Sequence, residues 1–188
     1  MDRYEILNEL PPSGAIYFSA APHNERFSPE DDDTVDLVVR FHKTDGTAWV
    51  ANFEAGDGWD EVAELPGTSN IFVLAGGQCY LVNPDSEQPV SKFGGDYDDI
   101  LYNADGRLVL AGRTGLAIVE ANGQHWLSEK FSLGGLENLV LKNNIVTGLA
   151  IDGLPGSGKG LPFSYNIDTR VLNGGLYKEF IKPWWKFW

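Results

Sequence analysis

The chain of 188 residues contains a single cysteine, Cys79. One cysteine excludes an intrachain disulfide and favours a reducing compartment over the disulfide scaffolds of small secreted proteins. No apolar run is long enough to cross a bilayer, and the first residues lack the basic and apolar regions of a secretory signal. The sequence therefore predicts a cytoplasmic protein without membrane association.

Basic residues are scarce, since 14 Lys and Arg stand against 27 Asp and Glu, a net charge of -13. Residues 1–66 hold 15 of the acidic and 4 of the basic groups, so this part carries 4 - 15 = -11. Such a field repels nucleic-acid phosphates and attracts basic proteins. The negative charge therefore predicts that the protein does not bind nucleic acid directly. The alternative to a basic partner is that the charge serves only solubility.

Three segments of the chain are similar to one another. Their first phenylalanines are separated by 93 - 53 = 40 and 131 - 93 = 38 residues, and a later glycine recurs every 36 residues. Each segment contains short apolar runs joined by turn sequences such as Asn83-Pro84-Asp85 and Asn122-Gly123, which favour hairpins. The landmarks are Phe53, Phe93 and Phe131 with Gly76, Gly112 and Gly148.

The repeat predicts an all-β protein built from tandem antiparallel meanders, with at least ~40% of its residues in strands against the usual 20 to 25%. Within one domain, 1–188, the predicted units are about 15–52, 53–92, 93–130 and 131–172. An aromatic segment, 173–188, follows them. We expect that segment to cover an open sheet edge, because exposed edges promote unwanted pairing.

The units resemble blades of a β-propeller, and the resemblance covers roughly residues 53–172. It rests on a period close to that of one four-stranded blade, about 40 to 50 residues. The Gly-His and Trp-Asp signature of WD40 blades is absent. The resemblance implies a partial or small propeller-like array.

Residues 153–160, Gly-Leu-Pro-Gly-Ser-Gly-Lys-Gly, match seven positions of the phosphate-binding loop pattern. The eighth position is Gly160, which has no hydroxyl group for a magnesium ion, and the next residues are typical of a strand rather than a helix. We therefore expect Lys159 to lie in an exposed loop that binds no nucleotide.

The sequence contains no convincing catalytic or metal-binding motif. His23, His42 and His125 lack the spacing of metal ligands, and Cys79 has no basic neighbour to activate it. Asp98 and Asp99 are candidate carboxylates for a glycosidase, although sequence alone does not place them at a catalytic separation. We predict no cofactor, no metal and no enzymatic activity.

Acidic residues recur at equivalent positions of the repeat, at Asp60-Glu61, Asp98-Asp99 and Glu137-Asn138. Equivalent positions of blades share a face, so these acids and the neighbouring aromatic residues predict one rim that binds a cationic partner. The alternative is that Asp and Asn merely favour the starts of turns and that the aromatic residues belong to the core. The predicted partner-binding residues are Asp31, Asp32, Asp33, Glu54, Asp57, Trp59, Asp60, Glu61, Asp96, Tyr97, Asp98 and Asp99.

Size, acidity, a single cysteine and the lack of catalytic residues make the chain similar in general character to bacterial toxin immunity proteins. The resemblance implies a non-enzymatic antitoxin that neutralises a basic toxin such as a nuclease. The alternative is a carbohydrate-binding protein or glycoside-active enzyme that uses Asp98 and Asp99 with Trp59 or Tyr97.

Overall fold

A computed structural model describes residues 2–11, 16–19, 37–53, 58–153 and 159–176. By its internal contacts the chain divides into an N-terminal unit, Met1–Asp96, and a C-terminal unit, Tyr97–Trp188. The described residues form sixteen strands in four sheets. The prediction of an all-β fold is confirmed, with 57% of the described part in strands.

The N-terminal unit contains the first two sheets. The first sheet has the order β1-β3-β4-β2 and comprises β1 (Tyr4–Leu7), β2 (Ile16–Ser19), β3 (Leu37–His42) and β4 (Ala48–Phe53). The second is a meander of β5 (Glu61–Glu64), β6 (Ile71–Ala75), β7 (Gln78–Asn83) and β8 (Gln88–Phe93). A single 3₁₀ turn, Pro84–Ser86, joins β7 to β8.

The C-terminal unit contains two further meanders. The third sheet comprises β9 (Tyr97–Tyr102), β10 (Leu108–Gly112), β11 (Leu116–Val119) and β12 (His125–Leu127). The fourth comprises β13 (Leu136–Lys142), β14 (Ile145–Ile151), β15 (Gly160–Asn166) and β16 (Val171–Gly174). One period of the sequence repeat thus corresponds to one sheet: Phe93 ends β8, and Phe131 lies between β12 and β13.

The first sheet differs from the others because its strands do not follow one another as a meander. β2 pairs with β4 in parallel, whereas β1 pairs antiparallel with the opposite neighbour, β3. The sequence did not predict β1. Its four residues show no clear alternation of apolar and polar side chains. The strand conformation of β1 is instead stabilised by antiparallel pairing with β3.

Three hairpins share one turn design that is visible in the sequence. In 43–47, 103–107 and 120–124 the third residue is Asp or Asn, and its side chain accepts the N–H of the fifth residue. The fourth residue is glycine with φ of 86°, 86° and 85° in these turns. Such positive φ values cost glycine little and strain other residues, so the Asp-Gly and Asn-Gly pairs specify these reversals.

Each unit has its own apolar core between its two sheets. In the N-terminal unit Phe41 and Trp49 of the first sheet pack with Val73 and Tyr80 of the second. The indole Nε1 of Trp49 donates a 2.6 Å hydrogen bond to the carbonyl of Pro84, so this buried donor is satisfied. The corresponding core of the C-terminal unit includes Ile118, Phe131, Phe163 and Tyr165.

Polar contacts between turns join the two sheets of the C-terminal unit. The guanidinium of Arg107 pairs with Asp105 at 2.6 Å and with Asp168 at 2.7 Å. Asn103 donates to Asn144 at 2.8 Å, and Asn144 donates to Asp168 at 2.9 Å. These contacts fix the β9–β10 turn against two turns of the fourth sheet.

Candidate protein-binding surface

The division into units separates the charge of the chain. Residues 1–96 contain 18 acidic and 5 basic residues, so this unit carries 5 - 18 = -13. Residues 97–188 contain 9 of each and are neutral. The net charge of the chain therefore belongs entirely to the N-terminal unit.

The described basic side chains of that unit already have partners. Arg40 pairs with Glu5 at 2.5 Å, and Lys43 pairs with Glu87. Arg3 donates to a backbone carbonyl in the β5–β6 loop, and the ammonium of Lys92 lies 5.3 Å from the centre of the Tyr80 ring. Most of the described acids of the unit are consequently left without a neutralising cation among the described residues.

An open groove of about 1000 Å³ lies along β1 and is lined by Asp2, Tyr4, Glu5, Glu64 and other residues of the N-terminal unit. The Tyr4 hydroxyl crosses to β5 and donates to the carbonyl of Val62 at 2.8 Å. Burial raises the pKa of this hydroxyl, and the nearby carboxylates raise its pKa further. The carboxylates belong to Glu61, Glu64 and Asp2.

The acids that line this groove, Asp2, Glu5 and Glu64, were not among the predicted site residues. Glu61, whose carboxylate acts on the Tyr4 hydroxyl, was predicted from the repeat. Asp2 and Glu5 lie outside the repeating segments, and only the pairing of β1 with β3 brings them beside β5. The uneven charge of the sequence was the one signal that indicated this part of the chain.

Trp59 and Asp60 lie directly before β5 and are held against the β6–β7 turn. The N–H of Gly77 donates to the carbonyl of Trp59 at 3.2 Å, and the N–H of Gly76 donates to Oδ1 of Asp60 at 2.7 Å. A Cβ atom at Gly58 would lie 2.5 Å from the Gly77 nitrogen, so the two backbones are in direct contact. The Trp59 side chain is 50% exposed.

Asp96 lies near the β6–β7 turn, on the segment that follows β8. The side chain of Gln78, the first residue of β7, donates to the carbonyl of Phe93 at 2.6 Å and lies beside Gly95. Asp96 itself is exposed and has a φ of 58°. Asp60 and Asp96 therefore both lie on segments that contact residues 76–78.

Asp98 and Asp99 are both exposed because β9 contains a bulge. Tyr97 lies opposite Gly112 and Asp99 opposite Ala111, which leaves Asp98 as the extra residue. A bulge interrupts the normal alternation of side chains, so consecutive residues face solvent. β13 has a corresponding irregularity beside Glu137.

Tyr97 does not have the predicted exposed position. Its side chain is 5% exposed, so its ring belongs to the interior and not to a rim. Trp59, its counterpart in the repeat, precedes its strand by two residues, whereas Tyr97 is the first residue paired in β9. Asp31, Asp32, Asp33, Glu54 and Asp57 lie outside the described residues, as do 177–188 of the aromatic segment.

The motifs considered for chemistry have ordinary structural positions. Cys79 is buried in β7, and burial raises the pKa of its thiol. Lys159 is exposed, and Gly160 begins β15, which confirms the predicted strand after the glycine-rich segment. No cluster of potential metal ligands occurs in the part of the chain that the structure describes.

Comparison with protein family models and with curated proteins gives no match for this chain. Among the described ranges, no helix has the length and hydrophobicity needed to cross a membrane.

Proposed function

We propose that this chain is a non-enzymatic binding protein that neutralises a basic protein, most concretely a toxin such as a nuclease, in the manner of an immunity protein. The observation that carries the proposal is the concentration of the whole net charge of -13 in the N-terminal unit. The described cations of this unit are engaged within it, so its acids are available to an external cation.

Two sets of carboxylates form the proposed binding surface. The first lies along β1 and β5 and consists of Asp2, Glu61 and Glu64. The second consists of Asp60 and Asp96 beside the β6–β7 turn. Opposite charges mainly accelerate association, whereas a buried paired charge slows dissociation.

The sugar-binding alternative loses one of its two aromatic candidates, since the buried ring of Tyr97 offers no face on which a sugar can stack, whereas Trp59 is exposed. Asp98 and Asp99 are exposed, but exposure alone does not favour a glycosidase over an acidic protein surface.

The test begins with capture of partners from a cell lysate and their identification by mass spectrometry. Affinity is then measured by calorimetry for the purified partner, together with inhibition of its activity. We expect Asp60→Lys and Glu64→Lys to weaken binding by about tenfold or more. The salt dependence should also fall, because each change removes an attraction that salt screens beyond about 8 Å at physiological ionic strength.

Glu129→Lys is the matched control, since Glu129 is exposed in the neutral C-terminal unit and the change in charge is the same. An acidic partner, or equal effects of the control and the two N-terminal substitutions, would contradict the proposal.

A further inference from the structure

Trp59 is an unusually large apolar side chain to leave exposed. Half of its surface is in contact with solvent, while Trp49, the other described tryptophan of the N-terminal unit, is 2% exposed. Single exposed apolar residues are common in proteins. Trp59 differs because its backbone is fixed at both neighbouring positions.

Three contacts fix that backbone. The Trp59 carbonyl accepts the Gly77 N–H, the Asp60 carboxylate accepts the Gly76 N–H, and Gly58 lies against Gly77 with no space for a side chain. The turn itself requires glycine, because Gly76 and Gly77 have φ values of 52° and 80°. Trp59 is therefore presented by ordered backbone, which lowers the conformational entropy that this segment loses on binding.

The charge around Trp59 selects a cation. One oxygen of Asp60 accepts the Gly76 N–H, and the other accepts no hydrogen bond from the residues that the structure describes. Glu61 follows in the chain, and Asp96 lies on the segment beside Gln78. Among the described residues no Lys or Arg pairs with Asp60, Glu61 or Asp96.

We propose that Trp59 is the anchor of the binding surface and stacks on the guanidinium of an arginine supplied by the basic partner, with Asp60 or Asp96 as the counter-ion. This inference rests on the proposed function. Tryptophan is the best aromatic partner for a cation. Arginine suits the site better than lysine, because its planar group stacks on a ring while it donates two hydrogen bonds to one carboxylate.

The probes are hexa-arginine and hexa-lysine peptides, titrated into the full chain and followed by the NMR signals of the indole N–H groups. The Trp59 signal is assigned by its disappearance in Trp59→Phe. We expect this signal to shift on addition of hexa-arginine, and we expect hexa-arginine to bind several-fold more tightly than hexa-lysine. Trp59→Ala should weaken hexa-arginine binding about fivefold, which corresponds to about 1 kcal/mol for an exposed cation–π contact.

Two variants serve as controls. Val90→Ala shortens another exposed apolar side chain, 53% exposed in β8, and should leave both affinities unchanged. Asp60→Asn preserves the acceptor for Gly76 but removes the charge, so it should weaken binding of both peptides. Circular dichroism verifies that each variant is folded.

The outcomes separate this inference from the proposed function. Suppose that Glu64→Lys weakens the binding of both peptides while Trp59→Ala changes the affinity for neither. That result refutes the arginine anchor but retains the acidic surface. Equal affinity for the two peptides also refutes the anchor. If neither peptide binds the unmodified chain, the anchor and the electrostatic basis of the proposed function are both refuted.

Discussion

Replacement of Arg107 tests whether the polar contacts between turns stabilise the C-terminal unit. The Arg107 side chain is 9% exposed, whereas the partner carboxylate of Asp105 is 44% exposed. Arg107→Met retains most of the aliphatic stem and removes the charge. Arg107→Ala removes both.

The expected costs follow from these exposures. The carboxylate partners are largely solvated, so water weakens the ion pair with Asp105. We therefore expect the loss of this pair to lower the free energy of unfolding by about 1 kcal/mol. Two buried methylene groups beyond Cβ contribute about 0.8 kcal/mol each. We therefore expect Arg107→Met to cost about 1 kcal/mol and Arg107→Ala to cost about 2 to 3 kcal/mol.

The effect depends on pH in a defined direction. The side-chain hydrogen bond from Arg107 is the main cause that lowers the pKa of Asp105. For Asp168 the hydrogen bond from Asn144 is the larger cause of a lowered pKa, and Arg107 is the next. A carboxyl whose pKa is lowered by folding stabilises the fold above its unfolded value of about 3.9. That stability is lost as the pH falls through the lowered pKa.

Urea unfolding at pH 7 and at about pH 2.5 gives the free energies, and hydrogen exchange localises the change to residues 97–176. The difference between the unmodified chain and Arg107→Met should be largest at pH 7 and should shrink in acid. Arg113→Ala is the control, since Arg113 is exposed and its side chain donates to the backbone carbonyl of Leu133. The reasoning is refuted if Arg107→Met lowers the free energy of unfolding at pH 7 by no more than Arg113→Ala does. It is also refuted if the loss caused by Arg107→Met is the same in acid as at pH 7.

Three further predictions concern single residues. Gly148→Ala should cost about 1 to 3 kcal/mol of unfolding free energy in urea, because the new Cβ would lie 2.8 Å from the Glu137 carbonyl oxygen; a neutral effect would show that β13 yields easily. The Cys79 thiol, which is buried and has a raised pKa, should react with a chromogenic disulfide reagent only after unfolding in urea, and fast labelling of the native protein would contradict its burial. Calorimetric titration with ATP and magnesium should give no heat of binding, and a micromolar site abolished by Lys159→Ala would overturn that prediction.

Local chemistry explains the features that were predicted correctly. Asp45-Gly46, Asp105-Gly106 and Asn122-Gly123 specify their hairpins through contacts between residues no more than four positions apart. The strand pairs of the three meanders follow, because a tight turn sets the register of the strands that it joins.

The tertiary structure decided what the sequence pattern left open. The repeat gave Trp59 and Tyr97 equivalent positions, but the register of β9 against β10 pairs Tyr97 with Gly112, and its ring is buried while that of Trp59 is exposed. Asp2 and Glu64 are far apart in sequence and line one groove only because β1 joins the first sheet.

The sequence by itself determined the strands of the three meanders, the hairpin turns and the excess of acid, because each depends on residue type or on near neighbours. Which acids share a surface, and which aromatic side chain faces solvent, depends on pairing and packing between strands distant in the chain. A one-residue bulge exposes two consecutive aspartates in β9, and the residue pattern alone carries no signal of that bulge.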